Sequence, residues 1–151
     1  MEENMSQEKK PVVVKQSFHV SVSHLWKAIS ELEQMKLWFF ENIEVFNAEV
    51  GFETQFNVKS GERDFMHLWK ITEVIPLEKI VYSWKYKGYE GESFVSFETF
   101  ITEGGSSLRV SHKVIKSFPQ SIPEFTRESC QGGWEYFINN RLKKFMDDQM
   151  P

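Results

Sequence analysis

Apolar and polar positions change their period along the chain. Residues 12–20, VVVKQSFHV, are rich in β-branched side chains and predict a first strand. Ser21 follows as a helix cap. Val22, Leu25, Trp26 and Ile29 then recur at helical spacing. Ser30 and Glu33 form a possible capping box for a second short helix carrying Leu32, Met35, Trp38 and Phe39. From residue 43 to 115 the period falls to two. The stretch IEVFNAEVGFETQFNV holds two short runs broken near Gly51, and FMHLWKITEVI, KIVYSWKY, SFVSFETFI and LRVSHKVI follow, separated by turn-forming segments. With the first strand this gives about seven strands in an antiparallel meander. SFPQS (117–121) reads as a linker. Ser121, Glu124 and Pro123 read as the start of a long helix to about Asp148, with Trp134, Ile138, Leu142 and Phe145 on one stripe.

An antiparallel sheet has a face to cover, and one long helix can lie across it as the sheet twists. The predicted fold is therefore α+β, a helix-grip: a curved sheet, two short helices and a long C-terminal helix. Residues 1–10 have no apolar period and read as a flexible tail. Residues 11–151 read as a single domain.

Composition narrows the function. The chain has 151 residues and a net charge of −4, with no basic run longer than two residues, which argues against a nucleic-acid partner. There is neither an apolar leader nor a run long enough to cross a bilayer, and the single cysteine fits a reducing compartment, so a cytoplasmic location is expected. Aromatic residues make up 15% of the chain, with 14 Phe, 5 Trp and 4 Tyr. Rings in that number either fill a core or line an apolar cavity.

The alternation places His67, Trp69 and Ile71 on one strand face, then Ile80, Tyr82 and Trp84, Val95, Phe97 and Thr99, and Leu108, Val110 and His112. Turned towards the helix, these sets make an apolar surface with a few polar points, the usual composition of a small-molecule site. The alternative is a packed aromatic core with hydrogen-bonded polar tips. The four histidines show no metal-binding spacing, so no metal or cofactor is expected. Cys130 reads as a buried helix residue rather than a nucleophile. Glu73 reads as a residue of the wet face, although turned inward it would be a candidate base.

The motifs VSHLWKAIS, MKLWFF, TEVIPLEKIVYSW, LRVSHKV and QGGWEYFINNRLKKF, in that order over residues 12–148, resemble the activator of heat-shock-protein-90 ATPase homologue-like family. That family lies within the SRPBCC, or START and Bet v 1-like, superfamily. Trp26, Trp38-Phe39, Pro76, Trp84, His112 and Gly133-Trp134 fall on its motif positions. The resemblance implies a deep apolar cavity between sheet and helix. Its members include ligand carriers and cyclases. The eukaryotic chaperone activators add a separate N-terminal domain for which this chain is too short, so the family name is not by itself evidence of chaperone activation.

The expected cavity lining is Trp38, His67, Trp69, Tyr82, Trp84, Phe97 and His112, with Cys130, Gly133, Trp134 and Phe137 from the long helix. Gly132 and Gly133 together cost that helix roughly 2 kcal/mol relative to alanines. Three readings stand side by side: close approach of helix to sheet, a kink, or space left for a ligand. The expected function is non-catalytic binding of a small hydrophobic or amphipathic molecule. The alternatives are a cyclase- or hydrolase-like enzyme using His112 or His67 as acid–base, and a co-chaperone-like interaction module.

Overall fold

The computed structural model describes residues 10–149. The expected tail lies outside that range except for Lys10. Strands β1 (Val12–Phe18), β2 (Glu53–Ser60), β3 (Arg63–Ile75), β4 (Lys79–Tyr86), β5 (Glu92–Thr102) and β6 (Gly105–Lys116) form one sheet, in the order β1-β6-β5-β4-β3-β2. Every neighbouring pair is antiparallel. Helices α1 (Val22–Ser30) and α2 (Leu32–Trp38) sit between β1 and β2, and a long helix follows β6. Its parts are α3 (Arg127–Glu135), a π-helical stretch (Tyr136–Leu142) and α4 (Lys143–Asp148).

The sheet has six strands, not seven. Residues 43–50, expected as the seventh, run as irregular chain ahead of β2. Ile43 and Phe46 are buried there. Their spacing of three does not match the two-residue strand repeat, so the segment covers the core without joining the ladder.

Period-two alternation decides which face is inside. Phe65, His67, Trp69 and Ile71 of β3 are all buried, as are Ile80, Tyr82 and Trp84 of β4. A bulge at Thr72 puts one extra residue between Ile71 and Glu73 and adds to the curl of the sheet. Past the bulge Glu73 is half-exposed and pairs with Lys79 at 3.4 Å, on the wet face. Gly105 is needed at the β1–β6 seam, because a Cβ there would stand 2.0 Å from the Phe18 carbonyl oxygen.

Several caps differ from the sequence reading. Ser21 accepts from the His24 amide as expected. Ser30, however, donates to the Trp26 carbonyl within α1, and Glu31 takes the cap position of α2 without a side-chain bond. Pro123–Phe125 is a separate 3-10 turn. The long helix starts later, where Thr126 accepts from the Ser129 amide. Its buried stripe is Trp134, Ile138, Leu142 and Met146, with Phe145 only half-buried. The wider π turn keeps a spacing of four, so the last inward residue is one place later than a regular α-helix predicts.

Candidate functional site

The inward rings divide into two clusters. The larger holds Trp38, Phe39, Trp69, Tyr82, Trp84, Phe97 and Trp134 with the aliphatic core. The smaller holds Phe65, Phe118 and Phe125, with Tyr86, Tyr89, Val114 and Ile122 against it. A cavity of about 210 Å³ lies at their seam, under the first half of the long helix. Its apolar wall comes from Phe40, Trp84, Tyr86, Phe118, Phe125, Trp134 and Phe137. Its rim includes the exposed Lys10, Ser117, Gln120, Arg127 and Ser129, so the cavity reaches the surface.

Seven expected lining residues meet there: His67, Trp84, His112, Cys130, Gly133, Trp134 and Phe137. Four do not. Trp38, Trp69, Tyr82 and Phe97 pack into the solid half of the core, and the expectation that they line the cavity is corrected. Trp38 donates its Nε1–H to the Ala28 carbonyl at 2.8 Å and stacks on Phe39 at 4.8 Å. Phe39 also contacts Trp69 and Phe97, at 5.6 Å and 6.2 Å between ring centroids, which closes the space between helix and sheet at that level. Tyr82 is 1% exposed and its hydroxyl has no hydrogen-bond partner among the described residues. It is Tyr86, four residues further along the same face, that reaches the cavity.

His112 is held at both ring nitrogens. Trp134 Nε1–H donates to Nδ1 at 2.9 Å, and an indole nitrogen can only donate. The ring proton therefore sits on Nε2, which donates to Ser93 Oγ at 2.8 Å. Ser93 passes its own proton to the Trp84 carbonyl at 3.3 Å. This buried chain orients Trp134 and leaves His112 no free lone pair for proton transfer. Burial holds the imidazole pKa down at about 4, which keeps it neutral.

His67 is different. Its Nδ1–H donates to the Phe65 carbonyl at 2.9 Å, two residues back on the same strand. That bond fixes the tautomer, so Nε2 carries a lone pair, and no partner for it exists among the described residues. Burial lowers this pKa to about 4, with the Phe65 bond opposing. In the β3–β4 ladder His67 stands directly opposite Tyr86, with ring centroids 4.8 Å apart. Burial also raises the Tyr86 phenol well above its ordinary value, so both groups stay neutral at the cavity wall. Cys130 lies close by, and burial pushes its thiol up to about 11, against the pull of Arg127. A thiol at that value is a poor nucleophile at neutral pH.

Gly133 lines the cavity, and a Cβ built on it would meet nothing within 4 Å. Gly132 is exposed and equally unobstructed. Close approach of helix to sheet therefore does not explain the pair. The departure from α-helix comes after it, at Tyr136–Leu142. Of the three readings, open space beside Gly133 fits the geometry.

Residues that sequence reasoning missed come from the supposed linker and from the segment read as the start of the long helix. Phe118 and Phe125 close one side of the cavity, and Gln120 Nε2 ties this segment by donating to both their carbonyls, at 3.0 and 3.1 Å. Gly91, at φ +119°, abuts the Phe118 ring, where a Cβ would stand 2.3 Å away. Arg127 donates to the Lys10 and Pro11 carbonyls, joining the start of α3 to the start of β1 at the rim.

A six-stranded antiparallel sheet gripping one long helix, with a ring-lined cavity at one end, defines a helix-grip domain with an internal cavity. The chain belongs to the family described as Activator of Hsp90 ATPase homolog 1-like protein, whose model matches residues 19–147. Among solved structures, protein CV1439 from Chromobacterium violaceum is similar at 16% identity over 91% of this chain and 97% of that one, with a TM-score of 0.76. Protein MLL2253 from Mesorhizobium loti is similar at 21% identity over 94% and 100%, with a TM-score of 0.72. PFC0360w from Plasmodium falciparum, described as an HSP90 activator, is similar at 23% identity over 87% and 92%, with a TM-score of 0.66. These likenesses establish the fold, which is Bet v 1/START-like. No curated protein matches the chain. Among the described residues no helix is long and apolar enough to cross a membrane.

Proposed function

We propose that this protein binds a small amphipathic molecule in the cavity between its two aromatic clusters, without transforming it. The observation that carries this reading is the cavity itself: ring-walled, open at a polar rim, and with an unused acceptor on His67 inside. A cavity of about 150 Å³ takes a benzene ring. A volume near 210 Å³ therefore fits a substituted single ring or a short branched chain rather than a sterol. Burying such a molecule removes apolar area from water at about 25 cal/mol per Å². His112 is saturated and the Cys130 thiol is raised, which favours binding over acid–base or nucleophilic catalysis. The free thiol also fits a reducing, cytoplasmic setting.

The test is a thermal-shift screen of single-ring and short-chain compounds against larger lipids. The expected result is stabilisation by the small set only. No response to any of the compounds contradicts the reading. The likeness to the Plasmodium protein favours a second reading, docking on a chaperone. Leu37, Val50 and Ile101 are the most exposed apolar side chains on which it would act. Chaperone ATPase turnover measured with and without this protein separates the two readings.

A further inference from the structure

We propose that the buried end of the ligand is a neutral hydroxyl, a phenol or an alcohol, read by His67 and Tyr86 together. This rests on the cavity-binding reading above and adds the chemistry of the molecule that fills it.

The argument starts from the strand ladder. His67 and Tyr86 are cross-strand partners on adjacent strands, so their side chains leave the sheet side by side on its inner face. His67 is 5% exposed and borders the cavity. Its Nδ1 edge is tied back to the Phe65 carbonyl, and that bond turns the distal edge, with Nε2, away from its own strand. Nε2 is thus an acceptor only, and it has no partner among the described residues. Nε2 is not sealed among the core atoms but opens on the cavity that His67 lines, so an occupant that donates to it gains more than one that merely fills space. Tyr86 also borders the cavity, and the side-chain neighbour of its hydroxyl is the Trp84 indole N–H, which can only donate and so leaves the phenol proton free to be given. It can donate where His67 can only accept.

A hydroxyl group is the smallest partner that satisfies both, giving its proton to His67 Nε2 and receiving one from Tyr86. A carboxylate does not suit this end. It offers two acceptors and no proton, and Nε2 would face it lone pair to lone pair. The exposed cations of the cavity, Lys10 and Arg127, stand at the rim instead. An ammonium group is also disfavoured, since among the described residues no carboxylate borders the inner wall and the only acidic lining residue, Glu124, is engaged by Ser60 at 2.7 Å and Arg63 at 3.4 Å. The remaining volume is bounded by rings, including Phe40, Trp134 and Phe137, and suits a flat apolar body.

The experiment is calorimetric titration of 4-propylphenol and of propylbenzene into the full chain, the His67→Phe variant and the Tyr86→Phe variant. Tyr86→Phe removes only the hydroxyl, whereas His67→Phe puts a slightly larger apolar ring in place of the imidazole and gives up the bond to the Phe65 carbonyl as well. The wild-type protein is expected to bind the phenol about tenfold more tightly than the hydrocarbon. In His67→Phe the two compounds should bind within about twofold of each other, with propylbenzene no weaker than in the wild type. Tyr86→Phe should lose part of the preference. If the wild-type protein binds both compounds equally, or if the preference survives His67→Phe, the hydroxyl reading is overturned while cavity binding stands. If neither compound binds the wild-type protein, the cavity reading falls and the hydroxyl reading falls with it. Should His67→Phe not fold, His67→Gln serves instead: its amide oxygen can restore the acceptor and its preference for the phenol should persist, whereas loss of the preference in a folded His67→Gln counts against the reading.

Discussion

Replacing Gly133 by leucine should raise stability and abolish ligand binding at once. The perturbation adds four carbon atoms at a position where a Cβ meets nothing within 4 Å and the cavity begins. Four carbons occupy on the order of 100 Å³, judged against the ~30 Å³ share of one water, which is roughly half of the 210 Å³ available. The helix meanwhile loses a glycine. Leucine is better than glycine there by somewhat under 1 kcal/mol, and apolar contact with the cavity wall adds to this. For a chain of this size 1 kcal/mol moves Tm by about 2–4 °C. Gly132→Leu is the matched control. It has the same propensity gain, but its position is exposed and does not border the cavity. Differential scanning calorimetry should therefore show a higher Tm for both variants, and titration with 4-propylphenol should show binding lost only in Gly133→Leu. Retention of binding in Gly133→Leu would refute the assignment of that space to the ligand. A lower Tm in Gly133→Leu alone would show that the helix does approach the sheet there.

Two further outcomes follow from the buried histidines. His67 and His112 each titrate near 4 in the folded protein against 6.5 when free, so the unfolded chain binds more protons between those values. Stability should be full above about pH 6.5 and fall as pH drops towards 4, by a few kcal/mol in all at pH 5; urea melts across that range check it, and a flat profile contradicts it. His112→Phe removes the acceptor for Trp134 and the donor to Ser93, leaving the buried Trp134 N–H unpaired and Ser93 with only its bond to the Trp84 carbonyl. It should cost about 1–3 kcal/mol by urea denaturation, and near-neutral stability would show that the chain of bonds is dispensable.

The sheet and its inner face were legible because period-two alternation is a local signal, and His67, Trp84 and His112 all lie on the face it indicates. The long helix was legible for the same reason, at period 3.6. What alternation cannot give is where along that face the interior is solid. Trp69, Tyr82 and Phe97 have the same pattern as Trp84, yet Phe39, stacked on Trp38 at the end of α2, packs against Trp69 and Phe97 and removes the space. Tyr86 was within reach of the sequence argument, since it continues the series Ile80, Tyr82, Trp84 by one step. Phe118 and Phe125 were not, because they sit in irregular chain and a short 3-10 turn whose packing depends on contacts far away in sequence, such as Phe65 with Phe125 at 5.2 Å. The role of Gly133 needed coordinates too. A glycine that makes room for a ligand and one that lets backbones touch are identical in the sequence, and only the void around its absent Cβ separates them.

A crystal structure of the protein soaked with 4-propylphenol tests the central claim most directly. The account predicts the ring lodged between Phe40, Trp134 and Phe137, inside the 210 Å³ cavity. A structure with Phe118 or Phe137 turned inward, the cavity filled by the protein's own side chains and the phenol absent, would contradict it.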